Sequence, residues 1–123
     1  MFERSLRWYA SNLPRAVELA QSQGYRGARW PKMVGPEGRD SPSPVGPLLI
    51  WQQPHPIFYA ELCFRASPTL NTLKQYRELV FQSAEFMADY AFFDKGTSRY
   101  VLGPPVIPAQ ENHPAAETWK SIS

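Results

Sequence analysis

The sequence predicts a mainly α-helical chain of about two helical hairpins, with one long loop and a small β-hairpin. Over residues 69–92 apolar side chains recur every three or four positions, which is the spacing of one side of an α-helix. Residues 25–49 contain four glycines and five prolines without a regular period. Such a stretch of about 25 residues is typical of a long loop. A chain of 123 residues allows one domain at most.

The composition is that of a globular protein, because 43% of the residues are hydrophobic and 14% are aromatic. The formal net charge of +2 is too small for a protein that binds nucleic acid through charge, so we expect no nucleic-acid partner. The sequence has no apolar run of 18 residues to span a membrane, and the single Cys63 excludes an internal disulfide. Charged residues among the first eight positions do not match a signal peptide, and the compartment is left open.

Prolines set the expected starts of the second and third predicted helices. Residues 2–11 and 14–23 are predicted as two short helices joined by a tight corner, with Pro14 as the first residue of the second one. A third helix is predicted within residues 50–66. Because proline is tolerated only in the first turn of a helix, this third helix should begin near Pro54.

The longest helical pattern in the sequence begins directly after this third predicted helix. Ser67 is expected to be the N-cap, and Pro68 the first residue, of a helix whose pattern continues over residues 69–92. Apolar residues cover more than half of its circumference, so we expect part of this helix to remain exposed and to favour self-association. Residues 93–103 are predicted as a β-hairpin that turns at Lys95-Gly96-Thr97.

Several common chemistries lack their motifs in this sequence. His55 and His113 are far apart and have no ligand spacing, so a metal site is not expected. Cys63 has no second cysteine and lies in an apolar helix, which favours a packed thiol. The serines lie outside any G-x-S-x-G motif, and the glycines lack the strand and helix that flank a phosphate-binding loop. We therefore expect no cofactor.

One group of residues does indicate a ligand, because polar and aromatic side chains are concentrated at the predicted joins between helices. Aromatic rings stack on the apolar face of a sugar, while amides and carboxylates hydrogen-bond to its hydroxyls. Each residue alone is better explained as capping or stapling a loop, but together they favour a carbohydrate cleft. The group consists of Trp30, Glu37, Asp40, Trp51, Gln52, Gln53, His55, Gln110, Glu111, Asn112 and His113.

Four segments of the chain resemble motifs of the six-hairpin glycosidases. These are (α/α)6-toroid proteins that include inverting α-L-fucosidases and relatives of maltose phosphorylase. The segments are Gly27-Ala-Arg-Trp-Pro31, Gly35-Pro-Glu-Gly-Arg-Asp-Ser-Pro42, Trp51-Gln-Gln-Pro-His-Pro-Ile-Phe-Tyr-Ala-Glu61 and Pro108-Ala-Gln-Glu-Asn-His113. Their order along the chain is the most specific part of the resemblance. The resemblance is confined to residues 1–113, and residues 114–123 form a tail outside it.

The resemblance implies a fragment of a glycoside hydrolase-like protein that cleaves glycosidic bonds by inverting acid/base chemistry. It implies that Glu111 is the general acid, with Asn112 beside it. It also places Gln52 and Gln53 where the fucosidases have asparagines that position the attacking water. Inverting hydrolysis needs a second carboxylate as the base. Because a fragment of about two hairpins does not supply that base, we expect this chain alone to be inactive.

Two other interpretations stay open at this point. The chain could be a non-catalytic module that uses the loops of Trp30 and Trp51 to bind a glycan or a partner protein. It could also be a helical dimer, in which two copies bury each other's apolar faces. The sugar, its linkage, and the choice between hydrolysis and phosphorolysis are not determined by the sequence.

Overall fold

Three α-helices and one β-hairpin form this fold, which we describe from a computed structural model for residues 2–39 and 48–102. The elements are α1 (Phe2–Ser22), α2 (His55–Ala66), α3 (Leu70–Tyr90), β1 (Ala91–Asp94) and β2 (Arg99–Leu102). The mainly α-helical class with a small β-hairpin is therefore confirmed. The prediction of two helical hairpins is wrong in its N-terminal half, where one long helix replaces two short ones.

Helix α1 continues through Pro14, which we predicted to begin a second helix. A proline inside a helix removes the hydrogen bond to the carbonyl four residues earlier and costs about 3 kcal/mol or more. Burial offsets this cost, because Leu6, Ala16 and Ala20 lie on one side of α1 and are all buried. The corner predicted between residues 11 and 14 is wrong because those buried residues form one continuous apolar stripe across the proline.

The ends of α2 and α3 follow from their capping residues. Helix α2 begins as predicted, with Pro54 at its N-cap position. The predicted cap of α3 is wrong by two residues, because Thr69 is the N-cap and its Oγ1 accepts a hydrogen bond of 3.2 Å from the N–H of Thr72. Ser67 instead ends α2, where its N–H donates to carbonyls of the last helical turn.

The β-hairpin directly follows α3 and starts earlier than predicted. Strands β1 and β2 are antiparallel, with Ala91 opposite Leu102, so the helix ends two residues before the bound expected from its pattern. The predicted turn is confirmed. Within it, the carboxylate of Asp94 accepts hydrogen bonds from Thr97 Oγ1 at 2.8 Å and from the N–H of Gly96 at 3.0 Å. These bonds, the one from Thr97 first, lower the pKa of Asp94.

Two groups of buried apolar side chains hold the helices together. The first includes Leu6, Trp30 and Leu79, and the second includes Ala20 and Phe86. Burying one leucine or phenylalanine side chain stabilises a fold by about 1.5–3 kcal/mol. Both groups combine residues of α1 with residues of α3, and residues 28–30 lie between these helices, where the N–H of Ala28 donates to Gln82 of α3 and the N–H of Arg29 donates to Ala16 of α1.

One side of α3 lies outside this core. Leu70, Leu73 and Phe81 are 74%, 49% and 61% exposed. The surplus of apolar helix surface that the sequence predicts is thus present on α3. Among the described residues, no helix is both long enough and apolar enough to cross a membrane.

Candidate functional site

Trp30, one of the residues predicted to bind sugar, is buried and held by hydrogen bonds. Its indole Nε1–H donates to Ser83 Oγ at 2.9 Å, and its backbone N–H donates to Gln53 Oε1 at 2.8 Å. Its carbonyl accepts hydrogen bonds from Nε2 of Gln53 at 2.7 Å and from Nε2 of Gln52 at 3.0 Å. We call residues 27–30, together with Gln52, Gln53 and Ser83, the Trp30 junction.

The two glutamines of the Trp30 junction bind the protein backbone in this structure. Gln52 and Gln53 are 6% and 2% exposed, so neither amide lies at the surface where a sugar would reach it. Leaving one buried hydrogen-bonding group unpaired costs about 1–3 kcal/mol. Their side chains therefore stabilise the connection between the loop of Trp30 and the start of α2, whatever further role they have.

The loop passes very close to α3 just before it reaches Trp30. Gly27 has φ +75°, and a Cβ at this position would lie 2.3 Å from the backbone nitrogen of Phe86 and 2.4 Å from the carbonyl oxygen of Gln82. The N–H of Ala28 donates to the same Gln82 carbonyl at 2.9 Å. Only glycine fits both this left-handed conformation and this close approach.

An ion pair fixes the loop at the residue before this crossing. The backbone N–H of Arg26 donates to Asp89 Oδ2 at 2.9 Å, and its Nε donates to Oδ1 at 3.3 Å. The backbone bond is the largest cause of a lowered pKa of Asp89, because it favours the ionised carboxylate. The loop is thus hydrogen-bonded to α3 on both sides of Gly27, at Arg26 and at Ala28.

Arg29 carries a charge into the interior of the Trp30 junction. It is 5% exposed, and its Nη1 donates to Gln23 Oε1 at 2.6 Å. Its guanidinium also lies 5.5 Å from the ring centroid of Phe86 and 5.8 Å from that of Tyr90, within the range of cation–π attraction. This arginine therefore contributes to packing inside the protein.

Five aromatic side chains form a continuous row along α1 and the start of α2. Ring centroids are 5.3 Å apart between Trp51 and His55, 6.2 Å between His55 and Tyr59, and 6.3 Å between Tyr59 and Tyr9. Tyr9 then contacts Trp8 at 5.3 Å. These tilted and edge-on contacts are the favourable arrangements for aromatic pairs. We call Trp51, His55, Tyr59, Tyr9 and Trp8 the aromatic row.

The aromatic row is partly open to solvent. Trp51 is 42% exposed, and the other four rings are half-buried. At the α1 end, a pocket of about 240 Å³ is lined by Ser5, Trp8, Tyr9 and Tyr59. Drug-sized ligands occupy pockets of roughly 300–1,000 Å³, so this smaller pocket suits a ligand of about one sugar ring.

Tyr9 connects the aromatic row to the Trp30 junction. Its ring packs edge-on against Trp30, with 4.9 Å between the ring centroids. Burial first, and then the neighbouring Tyr59, raise the pKa of Tyr9, so its hydroxyl stays protonated at neutral and mildly basic pH. A neutral phenol both donates and accepts hydrogen bonds, which matches the hydroxyls of a sugar.

The loop that carries Glu37 lies against the aromatic row, because the indole of Trp8 donates to the carbonyl of Pro36 at 2.9 Å. The Glu37 side chain itself is exposed. The structure thus brings the predicted residues Trp51 and His55 into one surface row. The remaining predicted residues lie outside the described ranges; these are Asp40, Gln110, Glu111, Asn112 and His113.

The sequence analysis did not single out Tyr9, Tyr59, Trp8 or Ser83. A signal for Tyr59 was present, because His55 and Tyr59 are four residues apart and therefore share one side of α2. Ser83 also stood out as a polar residue on the buried side of α3. No sequence signal pairs Tyr9 with Tyr59, since the two residues belong to different helices.

Within residues 2–39 and 48–102, no group of three or more His, Cys, Asp or Glu side chains is arranged to hold a metal ion. Cys63 is half-buried and packs against the first core group, as expected for a packed thiol. The aromatic row combines partly exposed rings with a neighbouring pocket, which is a geometry that can hold a ligand.

Comparison with known proteins adds no family to this description. No protein-family model matches the chain, and no curated protein matches it significantly. The resemblance to six-hairpin glycosidases stays a prediction from the four sequence motifs. The geometry of the aromatic row is therefore the basis for a proposed function.

Proposed function

We propose that the aromatic row binds a carbohydrate and that the chain is part of a glycoside hydrolase-like protein. The observation that carries the proposal is a line of partly exposed rings that ends in a pocket suited to one sugar ring. A pyranose stacks its C–H face on an aromatic ring and offers hydroxyls at its edge. Trp51 at one end and the pocket at the other give two stacking positions, which favours an oligosaccharide over a single sugar.

In this proposal the chemical step belongs to Glu111, the general acid that the resemblance implies. A general acid must stay protonated near neutral pH, so its pKa has to be raised. Hydrogen bonds instead lower the pKa of Asp89 and Asp94, which makes both carboxyl groups unsuited to that role. An inverting enzyme also needs a base about 6.5–9.5 Å from the acid. We therefore expect the chain alone to bind sugar without hydrolysing aryl glycosides.

Nuclear magnetic resonance titration of the tryptophan indole N–H signals tests sugar binding, with maltose and L-fucose as the probes. A single stacked ring buries little area, so we expect Kd values of about 1 mM or weaker, near −4 kcal/mol. The signals of Trp51 and Trp8 should shift with saturation. The signal of Trp30 should move little, because this side chain is only 3% exposed.

Two variants identify the binding surface. Trp51→Ala removes the most exposed ring of the aromatic row and should weaken binding at least tenfold. Phe92→Ala removes a ring that is 59% exposed on β1 and should leave the titration unchanged. If neither sugar gives a saturable shift, or if both variants lose binding equally, the carbohydrate proposal is wrong. A non-catalytic protein-interaction module would then be favoured.

We also propose that the chain associates with a second copy of itself. The supporting observation is the exposed apolar side of α3, where Leu70 and Phe81 project from the helix surface into solvent. Monomeric soluble proteins rarely leave contiguous apolar patches of this kind uncovered.

A further inference from the structure

We propose that two copies of this chain pair antiparallel through α3, about a two-fold axis, with Phe81 of each copy entering a groove of the other. The inference rests on the self-association proposed above and specifies its surface, its direction and the contacts that decide it. It is independent of sugar binding, because the groove lies between α2 and α3 and does not include Trp51.

The groove has a volume of about 510 Å³ and mostly apolar walls. Ile57, Ala60 and Phe64 line it from α2, and Leu73, Val80 and Phe81 line it from α3, so Phe81 lies on the rim of its own groove. A groove between two helices with such walls accepts the apolar side of a third helix. A large exposed side chain on that third helix would fill it.

Helix α3 itself has the pattern that such a partner helix needs. Six of its exposed residues lie on one side of the helix and repeat with spacings of three and four, as in the seam of a two-stranded coiled coil. They are Leu70, Leu73, Arg77, Phe81, Ala84 and Ala88. Each copy therefore carries both a groove and a ridge, which is the self-complementarity that a two-fold interface requires.

Charge complementarity favours the antiparallel direction. In a parallel pair, Arg77 would face the same arginine of the second copy, and like charges would repel. In an antiparallel register centred between residues 77 and 81, Arg77 faces the partner's Phe81. A guanidinium is attracted to such a ring, and Arg77 already lies 5.4 Å from the ring centroid of its own Phe81.

A second pair of charges supports the same register. Lys74 and Glu85 lie on the same flank of the exposed side of α3, one towards each end of the helix. In antiparallel pairing, equal flanks of the two helices meet, so Lys74 faces the partner's Glu85, and this contact occurs twice. The opposed helix dipoles are also favourable in this direction.

Sedimentation velocity over a range of protein concentrations tests the pairing. The wild-type chain should show a monomer–dimer equilibrium. Phe81→Glu should raise the dimer dissociation constant at least tenfold, whereas Phe92→Glu, which changes a comparably exposed ring on β1, should change it less than twofold. The proposal is wrong if the chain stays monomeric at every concentration, since the groove would then suit a different protein. It is also wrong if Phe81→Glu and Phe92→Glu change the dissociation constant equally.

Reversing the charges of Lys74 and Glu85, and measuring one distance between the two copies, then tests whether the helices pair antiparallel. Lys74→Glu should weaken the dimer, and adding Glu85→Lys should restore it. A spin label at Asn71→Cys, in a Cys63→Ala background, should report about 24 Å along the helix axis between the two copies, from 16 residues at 1.5 Å each. A distance near 10 Å, as in a parallel pair, or a lack of restoration would overturn the antiparallel register. Trp51→Ala should leave the dimer unchanged, so failure of sugar binding remains distinguishable.

Discussion

The Trp30 junction and the exposed side of α3 reverse the usual placement of polar and apolar side chains. In the junction two amides and the Arg29 guanidinium are buried, whereas on α3 Leu70 and Phe81 project into solvent. Both amide nitrogens and the guanidinium are tolerated because each donates a hydrogen bond to a backbone or side-chain group, whereas Oε1 of Gln52 is buried without a hydrogen-bond partner. The apolar groups on α3 have no such compensation within one copy. The first region thus stabilises the fold of one copy, and the second is where we propose that a second copy adds stability.

The same contrast separates two tryptophans that the sequence placed in one predicted site. Trp30 is 3% exposed and packs edge-on against Tyr9, whereas Trp51 is 42% exposed at the end of the aromatic row. We therefore expect a substitution at Trp30 to act on stability and a substitution at Trp51 to act on the proposed sugar binding. The variants below test how the Trp30 junction and the loop residues next to it stabilise the fold.

The largest effect is expected at Gly27. Gly27→Ala adds left-handed strain of about 1–2 kcal/mol and places a Cβ against the α3 backbone. We expect a loss of about 3–5 kcal/mol in the free energy of unfolding, measured by urea denaturation. Gly24→Ala is the matched control, because Gly24 has φ +82° with nothing within 4 Å of its Cβ position. Equal losses from the two variants would show that the loop does not approach α3 so closely.

A smaller effect is expected at Gln53. Gln53→Leu removes both hydrogen bonds to the backbone of Trp30 and leaves its N–H buried. We expect a loss of about 2–3 kcal/mol in the free energy of unfolding. Gln75→Leu changes an exposed glutamine on α3 and should stay within about 0.5 kcal/mol of the wild type. A Gln53 variant as stable as the Gln75 variant would contradict a structural role for this amide.

The smallest effect is a pH dependence at Asp89. Its pKa in the folded chain is below the ordinary value of 3.8, so its ionised form stabilises the fold above that pH. This contribution is lost as the pH falls through the folded-state pKa. Asp89→Asn should lower the Tm slightly at neutral pH and reduce the fall in Tm at acidic pH. Thermal melts at a series of pH values measure both effects. If the Tm of the wild type and of the Asp89→Asn variant changes with pH in the same way, the Arg26–Asp89 ion pair does not stabilise the fold.

Local sequence signals predicted much of the fold. The start of α2 at Pro54 and the turn before β2 depend on residues a few positions apart, so their patterns were sufficient. The break predicted at Pro14 and the cap predicted at Ser67 were wrong, because the local sequence also allows a continuous helix at the first position and a cap at Thr69 near the second. Burial of one continuous stripe decided the first, and the extended backbone of Thr69 decided the second.

For the candidate site, the sequence by itself determined which chemical groups are present and that Trp51 and His55 lie only four residues apart along the chain. It did not determine what those groups contact. An amide hydrogen-bonds equally well to a sugar hydroxyl or to a backbone carbonyl, and only the position of Trp30 assigned Gln52 and Gln53 to the backbone. Likewise, the row from Tyr59 to Tyr9 joins two helices far apart in the sequence. Tertiary packing decided both, because these contacts depend on distance in space and leave no period along the chain.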